Sequence, residues 1–317
     1  MLEYTVCAHG CGDFSTIAAA VDAVPREVPA RIFIRNGVYR EKLYCDKLYL
    51  ELRGESREGA LLTWADGALH RNADGRPNGT FRSYTAFFSG GEVRVENLTI
   101  ANMAGGGRTH GQGIAAAVDA RRAAFYNVAL LGCQDTLFTG PLPPTERLPG
   151  GFLGPKQTAP RLSSLQYYRG CFISGDIDFI FGGADALFEE CTLSCHDRNE
   201  PVNGYIAAPS TAPEGLGYVF YRCTVESKTA APGSFFLARP WRPYGKAAFL
   251  DCELGEVIAA AGFDDWGDPA NRARCRFDEY GNSGPGAVRP RAFGRTLTQP
   301  QADALLQKAR RLVENKR

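Results

Sequence analysis

The feature that most constrains the fold of this chain is a loosely kept repeat of strand-like segments. Val93-Arg94-Val95-Glu96-Asn97-Leu98-Thr99-Ile100 lines up with Ala124-Phe125-Tyr126-Asn127-Val128-Ala129-Leu130. Four more copies follow, starting at Tyr167, Ala186, Val219 and Ala248. Each runs from an apolar pair through polar residues to Asn or Cys, then into an alternating strand. The Asn or Cys positions are 97, 127, 171, 191, 223 and 252, at intervals of 30, 44, 20, 32 and 29. A period of this size marks a solenoid, in which each unit buries its apolar face only against its neighbours. No long helical pattern separates the units, so they must stack strand on strand. That predicts an all-β, single-domain parallel β-helix over 1–317, with coils about 4.8 Å apart. The Asn and Cys residues are expected to form one internal column, Asn bonding along it and Cys packing as a small apolar group. Cys171 and Cys191 would then lie within reach of a disulfide.

A solenoid needs covered ends. Residues 13–24 read as a short amphipathic helix with Ser15 or Asp13 as N-cap, stopped by Pro25. At the other end, Thr298 and Gln301 have the spacing of a capping box, with Pro300 in the first turn. Ala302, Leu305, Leu306, Ala309, Leu312 and Val313 recur at helical spacing, which predicts a C-terminal helix over 298–316. The segment 139–165 breaks the repeat. It is rich in Pro and Gly and leaves directly from Gln134-Asp135-Thr136-Leu137. Long loops of this kind usually serve binding or catalysis.

A net charge of +1 gives no bulk attraction for nucleic acid or a membrane surface. No apolar run approaches the roughly 20 residues that span a bilayer. Met1 to Val6 has neither a basic n-region nor an apolar h-region. The expectation is a cytoplasmic protein, or a secreted one whose leader has already been removed. The ten cysteines form no paired zinc pattern and the four histidines no HExxH, so no metal and no cofactor is expected. A chain this long can bury a core without a disulfide scaffold.

The chemistry gathers around Gly175-Asp176-Ile177-Asp178-Phe179-Ile180-Phe181-Gly182. Asp178 interrupts a run that reads as a buried strand, where an unpaired carboxylate is costly. By the repeat, Asp135 leaves the adjacent coil at nearly the same point. Two carboxyls side by side do not both ionise cheaply, which separates a neutral acid from a charged nucleophile or base. Arg239, in Leu237-Ala238-Arg239-Pro240-Trp241, can grip one of them bidentately. Gln112 and Gln134 supply amide donors for an oxyanion, and Trp241 and Phe179 offer flat apolar surface for a sugar ring. No GxSxG elbow is present. A paired-carboxylate cleft suits glycoside hydrolysis or ester hydrolysis through a carboxylate nucleophile. The two glutamines favour the second, since a cationic glycosidase transition state has no use for oxyanion donors.

These motifs resemble those of the pectin methylesterases (pectinesterases). The similarity begins at Gly12-Asp13-Phe14-Ser15-Thr16-Ile17 and Gly37-Val38-Tyr39-Arg40-Glu41. It runs through Gly79-Thr80-Phe81-Arg82-Ser83, Gln112-Gly113-Ile114-Ala115, Gln134-Asp135-Thr136-Leu137 and Asp178-Phe179-Ile180-Phe181-Gly182. It closes at Leu237-Ala238-Arg239-Pro240-Trp241 and Glu279-Tyr280-Gly281-Asn282. The resemblance implies a right-handed parallel β-helix. It implies Asp178 as nucleophile on the C6 methyl ester of galacturonate and Asp135 as general acid, then base. Gln112 and Gln134 would hold the oxyanion, and Arg239 would orient Asp178. Trp241, Phe179, Thr80, Arg198, Asn203 and Tyr205 are the implied substrate-binding residues. The implied partner is methyl-esterified pectin or an oligogalacturonide, taken by a monomer. The alternatives are another β-helix lyase or hydrolase acting on galacturonan, and a non-catalytic carbohydrate-binding solenoid. Two departures stand out. Ala238 replaces the usual Gly before Arg239, and the 139–165 loop is longer than in plant members.

Overall fold

The computed structural model describes residues 1–314 of the 317-residue chain. Its strands form three sheets of eleven, eight and seven members. One coil takes Arg122–Tyr126 in the first sheet, Ala129–Leu131 in the second and Leu137–Thr139 in the third. The next takes Leu165–Arg169, Phe172–Gly175 and Ile180–Gly182. Strand pairs with strand in parallel from one coil to the next. This is the right-handed parallel β-helix that the repeat and the motifs anticipated.

Regularity inside the coil comes from side chains in register. Phe125, Tyr168, Phe188, Phe220 and Phe249 occupy equivalent positions of successive strands. Their ring centroids are 5.0, 4.7, 4.7 and 4.5 Å apart and every neighbouring pair is stacked. These separations are in the range that aromatic pairs favour.

The expected single column of Asn and Cys is in fact two columns, one residue apart. Asn97 and Asn127 take the left-handed turn between sheets, at φ 51° and 50°, as do Gly170, Glu190, Arg222 and Asp251 in later coils. Asn adopts this conformation more readily than most residues, and Asn127 Nδ2 donates to Asn97 Oδ1 at 2.8 Å. The cysteines come one place later and point inward. Cys171, Cys191, Cys223 and Cys252 are buried free thiols. Each donates to a carbonyl of the preceding coil, Phe125, Tyr168, Phe188 and Phe220 in turn, at 3.4–3.5 Å. The bridge considered between Cys171 and Cys191 does not form; both are free thiols in this ladder. The disulfide present joins Cys7 and Cys11.

The N-terminal helix is shorter than 13–24 and covers Ile17–Ala23. Its cap is Thr16, which accepts from Ala19 N, while Asp13 accepts from Thr5 N instead. Glu41 takes the next two free amides, Ile17 N and Ala18 N, at 2.7 and 2.8 Å. Ile17, Ala20 and Val21 are buried on the first coil. The C-terminal helix spans Gln299–Glu314, and residues 315 and 316 of the expected span lie outside the described residues. Gln301 Oε1 accepts from Thr298 N at 2.9 Å, the returning arm of the capping box. This helix covers a side of the solenoid and not its end. Ala302 and Ala309 are buried against Leu187, Val219, Ala248 and Leu250 of the eleven-stranded sheet.

The 139–165 loop is structured without strands of its own between Leu137–Thr139 and Leu165–Arg169. Arg161 donates to the carbonyls of Pro143, Lys156, Gln157 and Ala159. Glu146 accepts from Gly150 N and Phe152 N. Phe152 is buried against Phe81.

Candidate active site

The seven-stranded sheet forms the floor of the site. Along it, Ala86, Ala116, Leu137, Ile180 and Ala207 belong to the interior core. Their successors Phe87, Ala117, Phe138, Phe181 and Ala208 form a second cluster on the outer face, as strand alternation requires. Two aspartates lead into these strands. Asp135 and Asp178 each stand two residues before the paired residues Leu137 and Ile180. Both are left-handed, at φ 65° and 51°. With Asn127 opposite Gly170, each also lies eight residues beyond its turn, a closer match than the Cys-based register suggested. Left-handed non-glycine residues cost about 1–3 kcal/mol and gather at functional sites. Here the kink lifts both carboxyls from the strand to the cleft.

Arg239 continues the outward column next to Ala208. Its Nε donates to Asp178 Oδ1 at 2.8 Å and its Nη2 to Asp178 Oδ2 at 2.7 Å, a bidentate pair. The guanidinium lies 3.7 Å from the Tyr205 ring centre and 3.8 Å from that of Trp266. Held between two rings, it presents one fixed fork to the carboxylate.

Burial pushes the Asp135 carboxyl well above the usual carboxylate range, and the neighbouring Asp178 charge pushes it further. Burial also raises Asp178, but charge attraction and hydrogen bonds from Arg239 oppose that rise. The proton shared by this pair therefore rests on Asp135, and Asp178 carries the charge.

Both aspartates line a cleft of about 310 Å³ together with Thr80, Gln112, Gln134, Arg239 and Trp241. The side-chain amides of Gln112 and Gln134 make no hydrogen bond among the described residues, so both remain available to a ligand. Trp241 stands edge-on to Phe181, with centroids 5.5 Å apart.

Four expected substrate contacts fall elsewhere. Phe179 is fully buried in the coil interior, because the kink at Asp178 turns the next side chain inward; Phe181 lines the cleft in its place. Asn203 is a buried brace whose Oδ1 accepts from Arg198 N and Glu200 N and whose Nδ2 donates to Ser234 Oγ. Arg198 faces a second groove with Cys133, Asp176 and His196. Tyr205 stacks on Phe236 and supports Arg239 from behind the cleft wall.

Sequence reasoning passed over Trp266, Phe81, Phe152, Arg147 and Arg242, all of which line the cleft. Trp266 carried a weak signal, a large aromatic inside the polar turn Asp264-Asp265-Trp266-Gly267. Its φ is 61°, and its amide donates to Asp264 Oδ1 at 2.8 Å. The others come from loops whose path no periodicity reveals.

The pectinesterase family model matches residues 3–141 and 152–297. The chain belongs to the pectinesterase family. Pectinesterase 31 of Arabidopsis thaliana is 32% identical over 292 residues, 89% of this chain and 83% of that protein. Pectinesterase QRT1 of the same plant is 30% identical across 94% of this chain and 74% of its own length. Among solved structures, a pectin methylesterase in complex with a hexasaccharide superposes with a TM-score of 0.81 at 28% identity, covering 100% of this chain and 98% of that one. The PemA enzyme of Erwinia chrysanthemi superposes with a TM-score of 0.79 at 28% identity, covering 100% and 97%. This pectinesterase is accordingly a carboxylic ester hydrolase that de-esterifies pectin. Residues 142–151, within the long loop, fall outside the family match.

Proposed function

We propose that Asp178 and Asp135 divide the hydrolysis of C6 methyl esters of polygalacturonate or oligogalacturonides between them. The observation that carries this reading is the bidentate Arg239–Asp178 pair beside a carboxyl raised by burial. An ionised Asp178 oxygen forms a bond to the ester carbonyl carbon, and the carbonyl electrons move to oxygen. Gln112 and Gln134 donate to that oxyanion. As the oxyanion collapses, the C–OCH3 bond breaks and Asp135 gives its proton to the leaving oxygen, releasing methanol. The acyl group is then on Asp178 as an anhydride. Asp135, now a carboxylate, takes a proton from water as the water attacks the acyl carbon. Asp178 leaves as a carboxylate, the galacturonic acid formed gives up its proton to solvent, and Asp135 is protonated again.

Thr80, Phe181 and Trp241 line the cleft and suit the sugar rings. The cleft is complete within one chain, which supports action as a monomer.

Methanol release from methylated pectin tests the reading. Asp178→Ala is expected to lower kcat by about three orders of magnitude or more, the loss typical of a removed nucleophile. An equally active variant would overturn the assignment. Products absorbing in the ultraviolet, or new reducing ends without methanol, would point to a lyase or glycosidase instead.

A further inference from the structure

Two histidines outside the cleft join the segments that carry its glutamines. Residues 68–72 run out and 76–79 return, as an arm of backbone. Asn72 N donates to Arg76 O at 2.9 Å, Asn78 N to His70 O at 2.7 Å and Gly79 N to Ala68 O at 2.9 Å. The returning side leads directly into Thr80 of the cleft. The outgoing side bonds on its other edge to the approach to Gln112. Ala68 N donates to Gln112 O at 2.8 Å, and Leu69 N to His110 O at 3.0 Å. His110 closes the single helical turn Gly107–His110. That turn rests on the second glutamine, since Gly107 is so close to the Gln134 side chain that any Cβ there would overlap its Oε1.

One side-chain bond ties the arm to the turn. His70 Nε2 and His110 Nδ1 are 3.0 Å apart, and the half-buried rings meet edge-on at 85°. Gly67 N donates to His70 Nδ1 at 3.1 Å. That nitrogen is therefore bare, and the proton of His70 sits on Nε2. From there it is donated to a bare His110 Nδ1, which leaves the proton of His110 on its Nε2. Both rings are neutral, each in a single tautomer.

A further proton has no place in this arrangement. Three ring protons would then share four nitrogens. If His70 Nδ1 is protonated, it faces the Gly67 N–H. If it stays bare, His70 Nε2 and His110 Nδ1 both carry protons and face each other. Either way two donors oppose and one bond is lost. Among the described residues no Asp or Glu oxygen lies within 4.0 Å of a nitrogen of either ring, so no carboxylate offsets the added charge. The charged groups of the adjoining segments are engaged elsewhere. Asp66 pairs with Lys42 and Arg108 with Glu200, Asp74 accepts from Arg76 N, and Arg71 donates to Gly75 O. Arg76 is exposed at the tip of the arm.

We propose that His70 and His110 are positioning residues for the oxyanion donors: the bond between their neutral rings holds the arm against the turn and so sets Gln112 and Gln134, and a proton taken up by the pair withdraws both. This rests on reading the two glutamines as oxyanion donors. It gives turnover an acid limit separate from the protonation of Asp178.

Methanol release from methylated pectin is followed between about pH 5 and 8. Wild type is compared with His70→Ala and with the double variant His70→Gln, His110→Asn. Glutamine at 70 keeps a donor and asparagine at 110 keeps an acceptor, and neither titrates. His70→Ala is expected to lower kcat about tenfold at the upper end of the range, less than the loss of a whole oxyanion donor. KM should stay within about twofold, because the donors act in the transition state. The amide pair should restore kcat there to within about threefold of wild type and lose less of it on acidification. A merely structural role would leave the pH dependence of kcat unmoved. Unchanged kcat in His70→Ala, or an amide pair that declines in acid as steeply as wild type, overturns the proposal. Nitrogen-15 NMR of the wild-type protein reads the same claim without turnover or substitution. Both rings should show the Nε2–H tautomer, and the side-chain amide signals of Gln112 and Gln134 should shift at the pH where the rings take up a proton. Other tautomers, or amide signals that do not follow the rings, refute it. If wild type releases no methanol, the esterase reading falls and the spectra still judge the pair.

Discussion

The coil interior and the cleft face share the same strands but follow opposite rules. Inside, one side-chain type repeats from coil to coil. Phe125, Tyr168, Phe188, Phe220 and Phe249 stack in a row, and four cysteines hydrogen-bond up their own column. Outside, likeness stops at single pairs: Asp135 matches Asp178 and Phe138 matches Phe181 on adjacent coils, and no residue type runs along the face. Both aspartates are on left-handed backbone, and Arg239 grips only one of them. The interior is satisfied by packing, whereas the cleft keeps a raised carboxyl and two unbonded amides. Stability and chemistry are thus placed on opposite faces of one ribbon, separated by the thickness of a strand.

Breaking the interior should leave the cleft chemistry alone. Phe220→Ala is expected to cost about 3–5 kcal/mol of stability. The measurement is the denaturant midpoint, with kcat per folded molecule retained. Breaking the cleft should do the reverse. Gln112→Ala is expected to reduce kcat by about 10²–10³-fold, the usual loss of one oxyanion donor, with an unchanged unfolding midpoint. A joint loss in either variant would show that the two faces are coupled.

The smallest effect is a gain, and it sharpens the contrast. The folded-state pKa of Asp135 lies well above its ordinary value of 3.8. As pH rises from 3.8 towards that higher value, the unfolded chain releases the proton first. The unfolded state then binds fewer protons than the folded one, so stability declines with pH over this window. Asp135→Asn removes the decline. The variant should be inactive yet more stable than wild type at neutral pH, with the two converging below pH 3.8. Thermal unfolding across pH measures it. A variant less stable than wild type at neutral pH would contradict the protonated state assigned to Asp135.

The same contrast explains what the chain revealed before it was folded. The interior was legible because repetition makes a pattern, and the aspartates, Arg239 and the two glutamines were legible through their motifs. The column register was misjudged by one residue, since Asn at a turn and Cys after it look equivalent in a loose alignment. Phe179 was expected in the cleft as an aromatic next to Asp178 and from its motif, but the left-handed backbone at Asp178 turns its side chain into the coil interior. Arg198 and Asn203 brace a loop, and polar residues in loops look alike whether they bind one another or a ligand. Trp266, Phe152 and Arg147 arrive from segments with no period at all. Their positions depend on tertiary contacts such as the bond from Arg147 to the Trp241 carbonyl.

The long loop departs with Gly140 N bonded to Val118 O and rejoins with Leu165 N bonded to Arg121 O, both on the preceding coil. Its two stems are therefore held at fixed points whatever lies between them. Closing a longer excursion adds only a logarithmic entropy cost. The wall of the groove behaves as an exchangeable cartridge. Its length and charge can be rewritten without disturbing the stack beneath, and grafting a differently charged segment between those stems is a direct route to altering which ester patterns are read.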